Sequence, residues 1–172
     1  MQTTANLWEV LCRDLESQRQ SAKAEEYHTV ARNFLDSARK VLRPDSPKMC
    51  DAVEIAGDIC QAAGRYDDAV ANFSEALEKS LQLGSRAGAA RLAAKLALLY
   101  DQLGRNGEAV KGYEQALSLY EEINDRTQHT MLLNQLGSLQ KRTGDLAGAI
   151  KTYERAMEVA EKIFGDRDPE VA

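Results

Sequence analysis

The chain has 172 residues, of which 44% are apolar, only 6% aromatic and 28% charged, and its formal net charge is −5. Such a chain can bury a core, and without a basic surplus it does not favour nucleic acid or an anionic membrane as partner. The longest near-apolar stretch, 87–100, is broken by Arg91 and Lys95 and falls short of the roughly 20 residues that cross a bilayer.

Glu9, Arg13 and Asp14 lie within the first apolar stripe, which is not the basic-then-apolar layout of a secretion signal, so a cytoplasmic chain is expected. That stripe, Leu7, Trp8, Leu11 and Leu15, has helical spacing. After a turn near 20–24, Tyr27, Val30, Ala31, Phe34, Leu35, Ala38, Val41 and Leu42 form a second. The two predict a divergent helix hairpin over 4–42, with Trp8 in a core or capping role rather than as an exposed anchor. Ser46 followed by Pro47 reads as an N-cap and first helical residue, and it opens a second hairpin over 46–83. A third is expected over 86–122. There Ala93, Leu96, Ala97 and Tyr100 run at i, i+3, i+4 and i+7, Gly104 interrupts, and Ala109, Val110, Tyr113, Ala116, Leu117 and Tyr120 resume the spacing. A fourth occupies 126–164, and 165–172 reads as the start of a further unit or a tail.

One step of 40 residues links these hairpins. It carries Gly64 to Gly104 to Gly144, Gly57 to Ala97 to Gly137, Ala69 to Ala109 to Ala149, Phe73 to Tyr113 to Tyr153 and Ala76 to Ala116 to Ala156. A period in this range marks stacked structural repeats. Gly64, Gly104 and Gly144 suit the left-handed position that ends a helix, and Asp67, Asn106 and Asp145 are expected to cap the next one. The alanine and glycine columns predict close helix crossings, with the aromatic column filling the gap to the neighbouring hairpin. The fold class is therefore all-α: one domain over 1–172, a right-handed superhelical solenoid of about four antiparallel hairpins with a period of 40–42 residues.

Little of the chain reads as chemistry. Cys12, Cys50 and Cys60 form no C-x-x-C pair and lie far from His28 and His129 in sequence. Cys50 and Cys60 would stand about 15 Å apart along one helix, so all three are expected to be small buried or half-buried residues. No metal and no cofactor are implied. His28 and His129 are expected at solvated positions, and the pairs Glu25–Glu26, Asp67–Asp68 and Glu121–Glu122 on polar faces. No phosphate loop, nucleophile elbow or His-Glu-x-x-His motif occurs, so the chain is not expected to be an enzyme.

The order Leu136-Gly137, Gly144, Ala149, Tyr153, Ala156 resembles the tetratricopeptide repeat. Its 40-residue step, longer than that family's usual 34, is similar to the kinesin-light-chain subfamily, as is the run from Glu161 through Gly165-Asp166-Arg167-Asp168-Pro169 to Ala172. In that run Asp168 replaces the subfamily's His, and residues 40–47 resemble a weaker copy. The resemblance implies a concave binding face lined by the first helix of each hairpin. Its lining would be Asp51, Glu54, Asp58 and Gln61, then Arg91, Ala94, Lys95, Leu98 and Asp101, then Met131, Asn134, Ser138, Lys141 and Arg142. Arg91 and Lys95 would either line that groove or pair with Glu54 and Asp58 on the neighbouring helix. The implied function is a non-catalytic protein–protein interaction scaffold or adaptor. A repeat-only chain resembles the bacterial kinesin-light-chain proteins associated with bacterial tubulins, which implies a tubulin-like filament as partner. The alternative is a co-chaperone or adaptor recognising an extended or C-terminal peptide. Arg91 and Lys95 fit that role, whereas Ile55 stands where it would need an Asn.

Overall fold

Eight helices form among the described residues, 4–21 and 26–165 of a computed structural model, with no strand among them. They are α1 (Thr4–Ser21), α2 (Tyr27–Val41), α3 (Pro47–Ala62), α4 (Tyr66–Gln82), α5 (Arg86–Gln102), α6 (Asn106–Glu122), α7 (Arg126–Thr143) and α8 (Leu146–Gly165). Residues 22–24 of the first expected turn, and the segment from Asp166 to Ala172, lie outside the described residues.

The turns follow from their end residues. Ser46 caps α3, its hydroxyl accepting the Met49 N–H at 3.2 Å, with Pro47 at the first helical position, where a missing N–H costs nothing. Gly64, Gly104 and Gly144 take φ of 72°, 70° and 90°. After each glycine the chain closes a pair of reversed hydrogen bonds: Gly64 N–H to Gln61 O at 3.0 Å and Arg65 N–H to Cys60 O at 2.9 Å, with the same pairs at 104–105 and 144–145. These bonds satisfy carbonyls that the helix end leaves open. Asn124 adopts the same conformation at φ 55°, one 40-residue step from Gly84 at φ 71°. Asparagine tolerates that region better than other side-chain-bearing residues.

The expectation that Asp67, Asn106 and Asp145 all act as caps holds only for Asp145, whose carboxylate accepts the Gly148 N–H at 2.9 Å. Arg65 and Arg105 occupy the other two cap positions without a side-chain cap bond, which places Asp67 and Asn106 inside the first turns of their helices. There a short polar side chain is past the point from which it can reach back to the free N–H groups.

The helices group into two compact units, Met1–Ser85 and Arg86–Ala172. In the first, α2 packs against α1 and α3, and α3 against α4. Its core centres on Val53, Ala56 and Phe73, with Trp8 half-buried beside Phe34 at a ring-centroid distance of 6.5 Å. In the second, α5 packs on α6, α6 on α7 and α7 on α8, around Leu92, Leu99, Tyr113, Leu133 and Leu139.

In the second and fourth hairpins the aromatic ring lies against the small residue of its own hairpin. A Cβ added to Gly57 would lie 2.6 Å from Phe73 Cε1, and one added to Gly137 would lie 2.9 Å from Tyr153 Cε1. Alanine holds this position in the third hairpin, and there the opposite helix gives way instead. Gly112 stands where the other hairpins have Asn72 and Thr152, and a Cβ on it would meet the Ala97 Cβ at 3.0 Å. The volume of one methyl group has moved across the helix crossing, as close packing requires.

Candidate partner-binding surface

The residues expected to line a binding face lie on the first helix of each of three hairpins. In the first unit, α3 presents Asp51 and Asp58 to solvent, whereas Glu54 is only 7% exposed and contributes little surface. Helical geometry gives the reason: Glu54 sits between Val53 and Ala56, both fully buried, on the edge of the helix that packs inward. In the second unit, α5 exposes Arg91 and Leu98, with Lys95 half-buried, and α7 exposes Met131, Asn134, Ser138, Lys141 and Arg142. Leu98 and Met131 are 37% and 51% exposed, so these first helices carry apolar surface that the core does not use.

Charge in the second unit is partly compensated. The Arg142 guanidinium, at the end of α7, pairs with Asp101 near the end of α5. Arg142 is thus an anchored cation, and Lys141 is the basic side chain that α7 directs outward at this end. Beneath them lies Tyr113, fully buried. Burial first, and the Asp101 carboxylate second, push its phenol up to about 12, with Arg142 pulling the other way. Its oxygen finds no partner within hydrogen-bonding geometry, so Asp101 acts on it mainly as a nearby charge.

Thiol chemistry finds no support here. Cys50 is buried and donates to the Ala76 carbonyl at 3.3 Å. Burial, followed by nearby carboxylates, raises the Cys12 and Cys60 thiols, which keeps them protonated and weakly nucleophilic. Among the described residues no three His, Cys, Asp or Glu side chains stand close enough to share a metal ion, and no helix is long and apolar enough to cross a membrane.

His129 departs from its expected solvated position. It is 9% exposed, and its Nε2 has no hydrogen-bond partner. Desolvation lowers its basicity, with Glu121 opposing and Arg155 reinforcing that effect. Comparing positions 40 residues apart would have flagged it, because the same column holds Met49 and Ala89, both buried.

Two sequence-family models described as tetratricopeptide repeat match the chain, one over residues 51–122 and the other over 130–170. No curated protein matches the sequence. Among solved structures, BtubC (BKLC) from P. vanneervenii is similar at 20% identity with a TM-score of 0.71, over 92% of this chain and 64% of that one. Aspartyl phosphate phosphatase F from Bacillus subtilis aligns at 13% identity and TM-score 0.75, over 95% of this chain and 42% of its own. This chain therefore spans less than two thirds of either protein. A kinesin-light-chain-like protein from Podospora anserina with nearly identical TPR-like repeats aligns at 17% identity and TM-score 0.73, over 99% of this chain and 82% of that one. At these identities the likeness is one of fold.

Proposed function

Because the chain belongs to the tetratricopeptide repeat family, which its matched stretches place over more than half its length, we propose that it is a non-catalytic protein-interaction scaffold whose first helices hold the partner. The observation that carries this reading is the side-chain set those helices turn to solvent. Leu98 and Met131 supply apolar contact, flanked by Arg91, Asn134, Ser138 and Lys141 in the second unit, while Asp51 and Asp58 supply acidic contacts in the first. A surface of small apolar patches ringed by polar groups suits a protein or peptide bound by side-chain contacts. The mixed charge would contribute more to orientation than to affinity. Glu54 is buried and Arg142 is held by Asp101, so the working face is smaller than the family resemblance implies.

The finer reading is a cytoplasmic adaptor for a tubulin-like filament, with neither nucleic acid nor membrane as partner. It rests on the kinesin-light-chain-like step of 40 residues and on the likeness in fold to BtubC. Co-sedimentation with bacterial-tubulin filaments tests it, using the wild-type chain and an R91E/K95E variant with unchanged circular dichroism. The wild-type chain is expected in the pellet and the variant in the supernatant. Absence of both from the pellet overturns the filament as partner while leaving the scaffold reading to be pursued with peptides.

A further inference from the structure

The second helix of the fourth hairpin keeps an apolar face that nothing among the described residues covers. Leu146, Ile150, Tyr153, Met157 and Ala160 of α8 follow one another at steps of 4, 3, 4 and 3 residues, the spacing of a seam that packs on another helix. Leu146, Ile150 and Met157 are 60%, 60% and 63% exposed, while Tyr153 and Ala160 are half-buried. One 40-residue step earlier the seam is Asn106, Val110, Tyr113, Leu117 and Tyr120 of α6. There Tyr113, Leu117 and Tyr120 are buried, and α7, which returns along α6 after a short turn, packs on that helix. The first position changes from Asn106 to Leu146, so the uncovered copy of the seam opens on an apolar residue.

The shape that fits this seam is therefore a helix running antiparallel to α8. Among the described helices only α8 itself exposes a matching stripe, because α1, α4, α5 and α7 each expose a single large apolar residue, Val10, Tyr66, Leu98 and Met131. On α1 that residue stands among Glu9, Arg13 and Asp14, all exposed, so burying α1 against the seam would take charges out of water. A second α8 fits better. When two antiparallel copies are centred between Lys151 and Glu154, Ile150 of one falls between Tyr153 and Met157 of the other, as interleaved seam residues do. Lys151 of each copy then comes level with Glu154 of the other. Both side chains are exposed, and the two-fold axis makes this opposite-charge contact twice.

We infer that α8 is a self-association face: two copies of the chain pair through antiparallel α8 helices, with Leu146, Ile150, Tyr153 and Met157 at the centre and Lys151 against Glu154 at the edge. A single helix pair buries less than the roughly 1,200 Å² that stable interfaces reach, so the dimer is transient, with a dissociation constant on the order of tens of micromolar. At the low-micromolar concentrations of an unfolding measurement the chain is monomeric. The face uses none of the first-helix residues, so its fate does not depend on that of the scaffold reading.

Sedimentation velocity of the full chain at low ionic strength, from about 1 to about 500 µM, spans that range and tests the pairing. The wild-type chain should pass from monomer to dimer. Ile150→Glu, at a position the core does not use, should stay monomeric throughout with unchanged circular dichroism. Lys151→Glu and Glu154→Lys each set like charges against one another on both sides of the axis, and each should weaken the dimer by about tenfold. An equimolar mixture of these two variants should form a mixed dimer as readily as the wild type, because opposite charges meet again at both contacts. That rescue requires residue 151 of one copy to face residue 154 of the other. A wild-type chain that stays monomeric overturns the second copy as occupant, and so does a dimer that Ile150→Glu leaves unchanged. Growth beyond the dimer overturns the two-fold pairing. A mixture that associates no better than either variant alone overturns the contact between Lys151 and Glu154.

Discussion

Gly57 and Gly107 are both helical glycines, yet their surroundings predict opposite effects of a methyl group. At Gly57 it would meet the Phe73 ring, which is fully buried and has no room to retreat. Gly57→Ala should lower stability by about 1–3 kcal/mol. At Gly107 nothing lies within 4 Å, so alanine should add roughly 0.5–1 kcal/mol by its better helix propensity. Urea unfolding followed by circular dichroism measures both, and equal effects would refute the packing account. The sequence revealed that position 57 must be small, because glycine and alanine recur there. It did not reveal which ring makes it so, since a repeat column identifies a crowded position without naming the atom across from it. The same limit applies to Glu54, which the resemblance to the tetratricopeptide repeat implies on the binding face and which is 7% exposed.

At the scale of the element, helix boundaries were legible and cap chemistry was less so. Hydrophobic spacing and glycine positions define where each helix stops, because a positive φ is open to few residues. An Asx residue near a helix start is a weaker signal, since one position decides whether its side chain reaches the free N–H groups. Asp145 reaches the Gly148 N–H, whereas Asn106 stands one residue too late, behind Arg105. Asp145→Ala should therefore cost about 1 kcal/mol, and Asn106→Ala should stay within about 0.5 kcal/mol. Thermal unfolding of the two variants, with hydrogen exchange at the Gly148 amide, distinguishes them. Faster exchange in Asp145→Ala alone is the expected pattern.

Over the whole molecule, residues that share a repeat column differ in what surrounds them. Leu117 and Met157 lie one 40-residue step apart, yet Leu117 is 5% exposed and Met157 is 63% exposed. The hairpin containing α7 packs over α6, whereas α8 is the last described helix. Leu117→Ala should then cost about 2–5 kcal/mol, and Met157→Ala within about 0.5 kcal/mol. Chemical denaturation measures the pair, and similar losses would show that column identity rather than neighbourhood sets the energy. The sequence by itself determined the helical class, the 40-residue period, the turns and the small-residue positions, because each depends on local backbone geometry or on a pattern repeated three times. Only the tertiary structure decided that Arg142 is tied to Asp101, that Gly112 makes room for Ala97, and that His129 is buried beside Arg126 and Lys162. Those facts depend on which side chains from different helices meet, and that is set by packing between helices rather than by spacing along any one of them.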